Sequence, residues 1–89
     1  MPPFENITSI ALPKLQILLP EIGNLHKLKK MALKGNQLQT LPKQIGQLQH
    51  LEELDLRNNP LQTLPKSIEE LKMLKSFQVS GNLNDIIPI

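Results

Sequence analysis

The sequence predicts an α/β solenoid of about four short coils, each supplying one strand and one short turn of helix. Three observations predict it. The stretch Leu51–Pro65 spells L-x-x-L-x-L-x-x-N-x-L, with Leu51, Leu54, Leu56, Asn59 and Leu61 in the defining places. Asn36, Asn59 and Asn82 stand 23 residues apart, since 59 − 36 = 23 and 82 − 59 = 23, and the sets Leu28/Leu51/Leu74, Met31/Leu54/Phe77 and Leu33/Leu56/Val79 keep the same step. With two Phe and no Trp or Tyr in 89 residues, the core must be aliphatic, which suits a stack of similar layers.

Taken in order, the chain reads as a single domain, 1–89, made of four copies. The first, 4–18, is degraded: Ile7, Ile10 and Leu12 take the L-x-x-L-x-L places and Ile17 the later leucine, but Leu15 stands where Asn is expected. The second, 19–40, is one residue short between Pro20 and Ile22. The third, 41–63, is the cleanest. The fourth, 64–86, departs late, with Asn84 in the column of Leu38 and Leu61 and Leu83 shifted by one; a tail of 87–89 follows.

Within a copy, Leu54 and Leu56 are two apart and so share one face of a strand. Ile45, Leu48, Leu51 and Leu54 are three apart. In an α-helix of about 3.6 residues per turn each such step falls roughly 60° short, so the four would spread over about 180° rather than form a stripe. A short helical turn near Ile45–Leu48 followed by a strand at Leu54–Leu56 fits better, and Gly23 and Gly46 also oppose long helices.

Ten basic against eight acidic residues leave a net charge of +2, too small an imbalance to argue for nucleic acid. The group Lys27, Lys29, Lys30 and Lys34 has no interleaved aromatics to stack bases. The absence of cysteine excludes disulfides, thiolate nucleophiles and cysteine-based metal sites. His26 and His50 fall in different columns with no carboxylate at ligand spacing, so neither a metal nor a cofactor is expected. No apolar run reaches the roughly 18 residues of a membrane span. Met1–Pro20 lacks a basic leading region and is interrupted by Pro13 and Lys14, so it does not read as a signal peptide. The expectation is a cytoplasmic chain by default, with a secreted or surface-exposed one as the alternative.

Residues 41–63 resemble the 23-residue leucine-rich repeat class abundant in leptospiral spirochaetes, with its L-P-x-x-I-G-x-L-x-x-L-x-x-L-x-L-x-x-N-x-L pattern. Leu41, Pro42, Ile45, Gly46, Leu48, Leu51, Leu54, Leu56, Asn59 and Leu61 all match. Plant intracellular Ras-group repeats are similar. The resemblance covers about the whole chain. It implies a right-handed superhelix with a concave parallel β-sheet and short helical or 3-10 turns on the convex side. It also implies a non-enzymatic protein-protein interaction module, as in bacterial proteins that engage a host. The competing expectation is a capping fragment or remnant of a larger repeat array without binding activity of its own. An enzyme is disfavoured: no Ser/His/Asp set, phosphate loop or carboxylate pair stands out, and there is no thiol for the thioester chemistry of ubiquitin ligases fused to some bacterial repeats.

In that frame the column Asn36, Asn59, Asn82 is structural, its amides satisfying turn backbone groups that no ladder reaches, and the coil bearing Leu15 should be irregular. The outward places of the strands are Ser9 and Ala11; Lys30, Ala32 and Lys34; Glu53, Asp55 and Arg57; and Ser76, Gln78 and Ser80. A protein ligand is therefore expected on Lys30, Lys34, Glu53, Asp55, Arg57 and Gln78. Lys30 beside Glu53 reads as a cross-strand ion pair; Lys34 beside Arg57 is a like-charge pair that Asp55 or an acidic partner must relieve. At the ends, the three isoleucines of Ile86–Ile89 and the outer strand near Phe77–Val79 point to a weak homodimer through the C-terminal edge, with the first copy as a makeshift cap.

Overall fold

A computed structural model describes residues 7–80. Four strands, β1 (Ser9–Ala11), β2 (Lys30–Ala32), β3 (Glu53–Asp55) and β4 (Ser76–Gln78), form one parallel sheet in sequential order. Three 3-10 turns, Pro20–Asn24, Lys43–Gln47 and Lys66–Glu70, stack opposite them. The fold is a short leucine-rich-type α/β solenoid, as the periodicity predicts. Asn82, Leu83, Asn84 and Ile86–Ile89, on which part of the sequence reading rests, lie outside the described residues.

The three-residue spacing has a direct cause. After each turn the chain makes successive bonds of 3-10 type: Leu48 N–H donates to the Ile45 carbonyl at 3.2 Å, and Leu51 N–H to the Leu48 carbonyl at 3.0 Å. In that geometry residues three apart eclipse one another. Ile45, Leu48 and Leu51 therefore share the inward face, each with no exposed surface. Pro42 and Pro65 precede the second and third turns in extended conformation, and their carbonyls accept from Ile45 and Ile68 at 3.1 Å. Proline's fixed φ suits that place, and its missing N–H leaves no donor unpaired.

The core is the predicted aliphatic stack. Leu28, Met31, Leu33, Leu38, Leu54 and Leu56 are at most 1% exposed. No coil could bury these residues alone; each is sealed by the layers on either side.

The first coil differs from the sequence reading. β1 pairs with β2 as Ser9↔Lys30, a step of 21, whereas β2 pairs with β3 as Lys30↔Glu53, a step of 23. The shortfall lies before the first helical turn, not inside it, for Pro20–Asn24 is as long as Lys43–Gln47. Leu19 consequently takes the capping place that Pro42 and Pro65 hold. Leu18, 6% exposed, takes the core place of Leu41, at 5%. Ile17, expected in the column of Leu38, is 68% exposed. Ile17 and Leu18 are adjacent in extended chain, so only one of them can face inward.

The turns after β1, β2 and β3 pass through a left-handed residue: Lys14 at φ 59°, Gly35 at 75° and Asn58 at 59°. These stand one before Leu15, Asn36 and Asn59 in each coil. Gly23 and Gly46 serve a different need. A β-carbon on Gly46 would lie 2.7 Å from the Ser67 carbonyl oxygen, and one on Gly23 would lie 2.9 Å from that of Gln44. Glycine there sets how closely neighbouring coils approach.

Candidate concave interaction surface

The parallel register makes lateral neighbours of residues one repeat apart, and the pleat turns Lys30, Ala32, Glu53, Asp55 and Gln78 away from the core. Met31 and Leu54, between them, are each 1% exposed. Two ion pairs organise the face. Lys30 Nζ lies 3.5 Å from Glu53 Oε2 on the next strand, as the sequence anticipated, with both side chains more than half exposed. Such a pair contributes well under about 1 kcal/mol.

The second pair is tighter. Arg57 Nε donates to Asp55 Oδ1 at 3.0 Å and Nη2 to Oδ2 at 2.8 Å, while the Arg57 backbone N–H donates to Oδ1 at 3.1 Å. These bonds lower the Asp55 pKa against an opposing effect of partial burial, and Lys34 adds a weaker electrostatic pull. Asp55 in turn raises the Arg57 pKa. The like-charge column of Lys34 and Arg57 is thus relieved on one side by Asp55, leaving Lys34 exposed beside it.

Gln78 is exposed on β4, in register with Asp55. Ser80, in the column of Lys34 and Arg57, accepts a hydrogen bond from Asn58 N–H at 2.8 Å and so supports the turn. The small side chains of Ser9, Ala11 and Ala32 leave a shallow depression of about 230 Å³ bordered by Glu53, Asp55 and Gln78. Sequence reasoning missed a further pair, Lys75 Nζ to Glu52 Oε1 at 3.7 Å, although their spacing of one repeat signalled it.

A larger groove, about 740 Å³, runs along one flank between Gln16, Ile17, Gln37, Gln39, Thr40 and Pro60. No titratable side chain lines it. Among the described residues no group of three or more His, Cys, Asp or Glu could hold a metal ion, and no helix is long and apolar enough to cross a membrane.

The asparagine column works between coils as well as within them. Asn36 Nδ2 donates to the Leu33 carbonyl of its own coil at 2.7 Å and to the Leu12 carbonyl of the preceding one at 2.8 Å, and its Oδ1 accepts from Leu15 N–H. Asn59 repeats this on Leu56, Leu33 and Leu38 at 3.0, 2.9 and 3.1 Å. The turn containing Leu15 is therefore satisfied by Asn36. The irregularity of the first coil lies in its shortened segment instead.

Residues 11–88 match the model of a family described as a leucine-rich repeat region. Among solved structures, a leucine-rich repeat protein of Leptospira interrogans is similar, with a TM-score of 0.76 and 31% identity over 85% of this chain. The chain spans 26% of that protein's length. No curated protein matches.

Proposed function

The chain belongs to the leucine-rich repeat family, and from that premise we propose that it is a non-enzymatic module that holds a protein ligand on its concave sheet. Lys30, Lys34, Glu53, Asp55, Arg57 and Gln78 make the contact. The observation that carries this reading is the separation of roles within the two central strands. Their inward places, Met31 and Leu54, are each 1% exposed, whereas the outward places on either side change charge and size from strand to strand. A rigid scaffold with free outer positions can be fitted to a partner without disturbing the core. We place that ligand on the host side, as the resemblance to bacterial repeat proteins that engage a host implies. The chain's span of about a quarter of that relative favours a second reading, in which this segment is a remnant or capping piece of a larger array with no binding activity of its own.

The test exchanges Asp55→Arg with Arg57→Asp, which keeps an ion pair in place while reversing the pattern shown to a partner. Proteins captured from host and bacterial lysates by the wild type are identified, purified and titrated against both forms. The double variant is expected to melt within a few degrees of wild type and to bind at least tenfold more weakly, about 1.4 kcal/mol. Equal binding by the two forms refutes the concave site. A failure of the wild type to capture anything favours the array reading.

A further inference from the structure

The hydrogen-bond ladder between β2 and β3 runs on past the ends of both strands. Leu33 N–H donates to the Asp55 carbonyl at 2.8 Å and Gly35 N–H to the Arg57 carbonyl at 2.9 Å. Lys34, between those two donors, therefore remains a lateral neighbour of Arg57, about 4.8 Å away across the strands. Leu33 and Leu56, one place before each, have no exposed surface, so the pleat turns both cations outward. The flanking members of that row, Pro13 and Ser80, carry no charge. Asp55 neutralises only one of the two cations. Arg57 holds it through both oxygens, while Lys34 exerts the weakest of the pulls on its carboxyl. Among the described residues no carboxylate forms an ion pair with Lys34. Glu52 and Glu53 lie at the N-terminal end of β3, paired with Lys75 and Lys30, and Glu21, Glu69 and Glu70 belong to the 3-10 turns.

We propose, resting on the concave-face reading above, that the protein ligand presents an acidic segment whose carboxylate seats between Lys34 and Arg57. Two cations against the one carboxylate of Asp55 leave this trio with a surplus positive charge. Like charges side by side on neighbouring strands are unfavourable, and an anion set between them removes that cost as it binds. Arg57 is already fixed for the task. Its Nε and Nη2 are engaged by Asp55, which leaves the donors of Nη1 for a ligand. A guanidinium locked before the ligand arrives loses little freedom on binding. Lys34, a point charge on a flexible stem, can swing onto the same carboxylate from the other side. Beside it Ala11 and Ala32 border the shallow depression of the sheet, so small side chains give the ligand backbone room to approach. A nucleic acid would offer phosphates to the same cations. It would find no exposed aromatic ring among the described residues on which to stack a base, for Phe77 packs against the core.

The probe is hexaglutamate, titrated into the wild type at about 20 mM salt, where surface charges are weakly screened, and followed by the NMR shifts of backbone amides. Saturable shifts are expected at Lys34, Gly35, Arg57 and Asn58, and not at Lys43 and Lys66 on the 3-10 turns. Lys34→Ala keeps the backbone bonds of Leu33 and Gly35 and should melt like the wild type. It should bind hexaglutamate at least about fivefold more weakly, whereas Lys43→Ala should stay within about twofold. The ligand captured from lysate should weaken with Lys34→Ala in the same way. Shifts that are absent or centred on the 3-10 turns, equal binding by Lys34→Ala, equal binding of hexaglutamine, or tighter binding of a thymidine hexanucleotide than of hexaglutamate overturns the proposal. A captured ligand weakened by the exchange of Asp55 and Arg57 but indifferent to Lys34→Ala also overturns it, and leaves the concave site standing. One indifferent to both refutes the concave site itself.

Discussion

Arg57 grips Asp55, two residues before it, through both oxygens of the carboxylate, at 3.0 and 2.8 Å. Two residues apart on a strand point the same way, so the fork forms without any long-range closure. It holds two opposite charges in fixed positions at the centre of the concave face.

The pair makes stability depend on pH in a defined direction. The Asp55 pKa is lower in the folded protein than in an unfolded chain. The stabilisation is therefore complete above the unfolded value of roughly 3.9 and is lost as pH falls through the lower folded value. Melting temperatures measured from neutral pH down to about pH 2 should fall more steeply for the wild type than for Asp55→Asn. Parallel curves would mean that the fork contributes no linkage.

Asn59→Ala should destabilise the fold by about 1–3 kcal/mol, because it strips partners from the Leu33 and Leu56 carbonyls and from Leu38 N–H. Asn36→Ala should cost at least as much, since Asn36 is only 5% exposed and water cannot readily replace its amide. Denaturant unfolding of both variants measures this; changes below about 0.5 kcal/mol would rule out the structural role.

Gly46→Ala should cost about 1–3 kcal/mol by forcing the second and third turns apart. The obstacle is the Ser67 backbone at 2.7 Å, with the Ser67 β-carbon at 2.8 Å, and neither can rotate away as a side-chain end would. Thermal unfolding of Gly46→Ala beside Ser67→Ala separates the two contacts, because trimming the hydroxyl alone should not relieve the clash.

Lys14→Gly should stabilise by up to about 1 kcal/mol. Lys14 holds a left-handed φ of 59° that strains a residue with a β-carbon, although the added freedom of glycine in the unfolded chain offsets part of the gain. Gly35→Ala should do the reverse and cost about 1–2 kcal/mol, even though no atom lies within 4 Å of the place for its β-carbon. Chemical denaturation of the pair tests whether this column is limited by backbone conformation rather than by space.

The periodicity of the sequence was enough to determine the solenoid, the aliphatic core and the order of the strands. A parallel sheet makes lateral neighbours of residues one repeat apart, so a constant step translates directly into columns. Lys30 opposite Glu53 and the outward run of Glu53, Asp55 and Arg57 were legible for that reason. Only the tertiary structure decided matters that depend on what lies on the far side of a residue. It buried Leu18 in place of Ile17, because a shortened connection can turn only one of two adjacent side chains inward. It showed that Asn36 serves the coil before its own, which explains why Leu15 leaves no gap in the first turn. It also left Leu19 exposed, in the capping place that proline holds in the later coils.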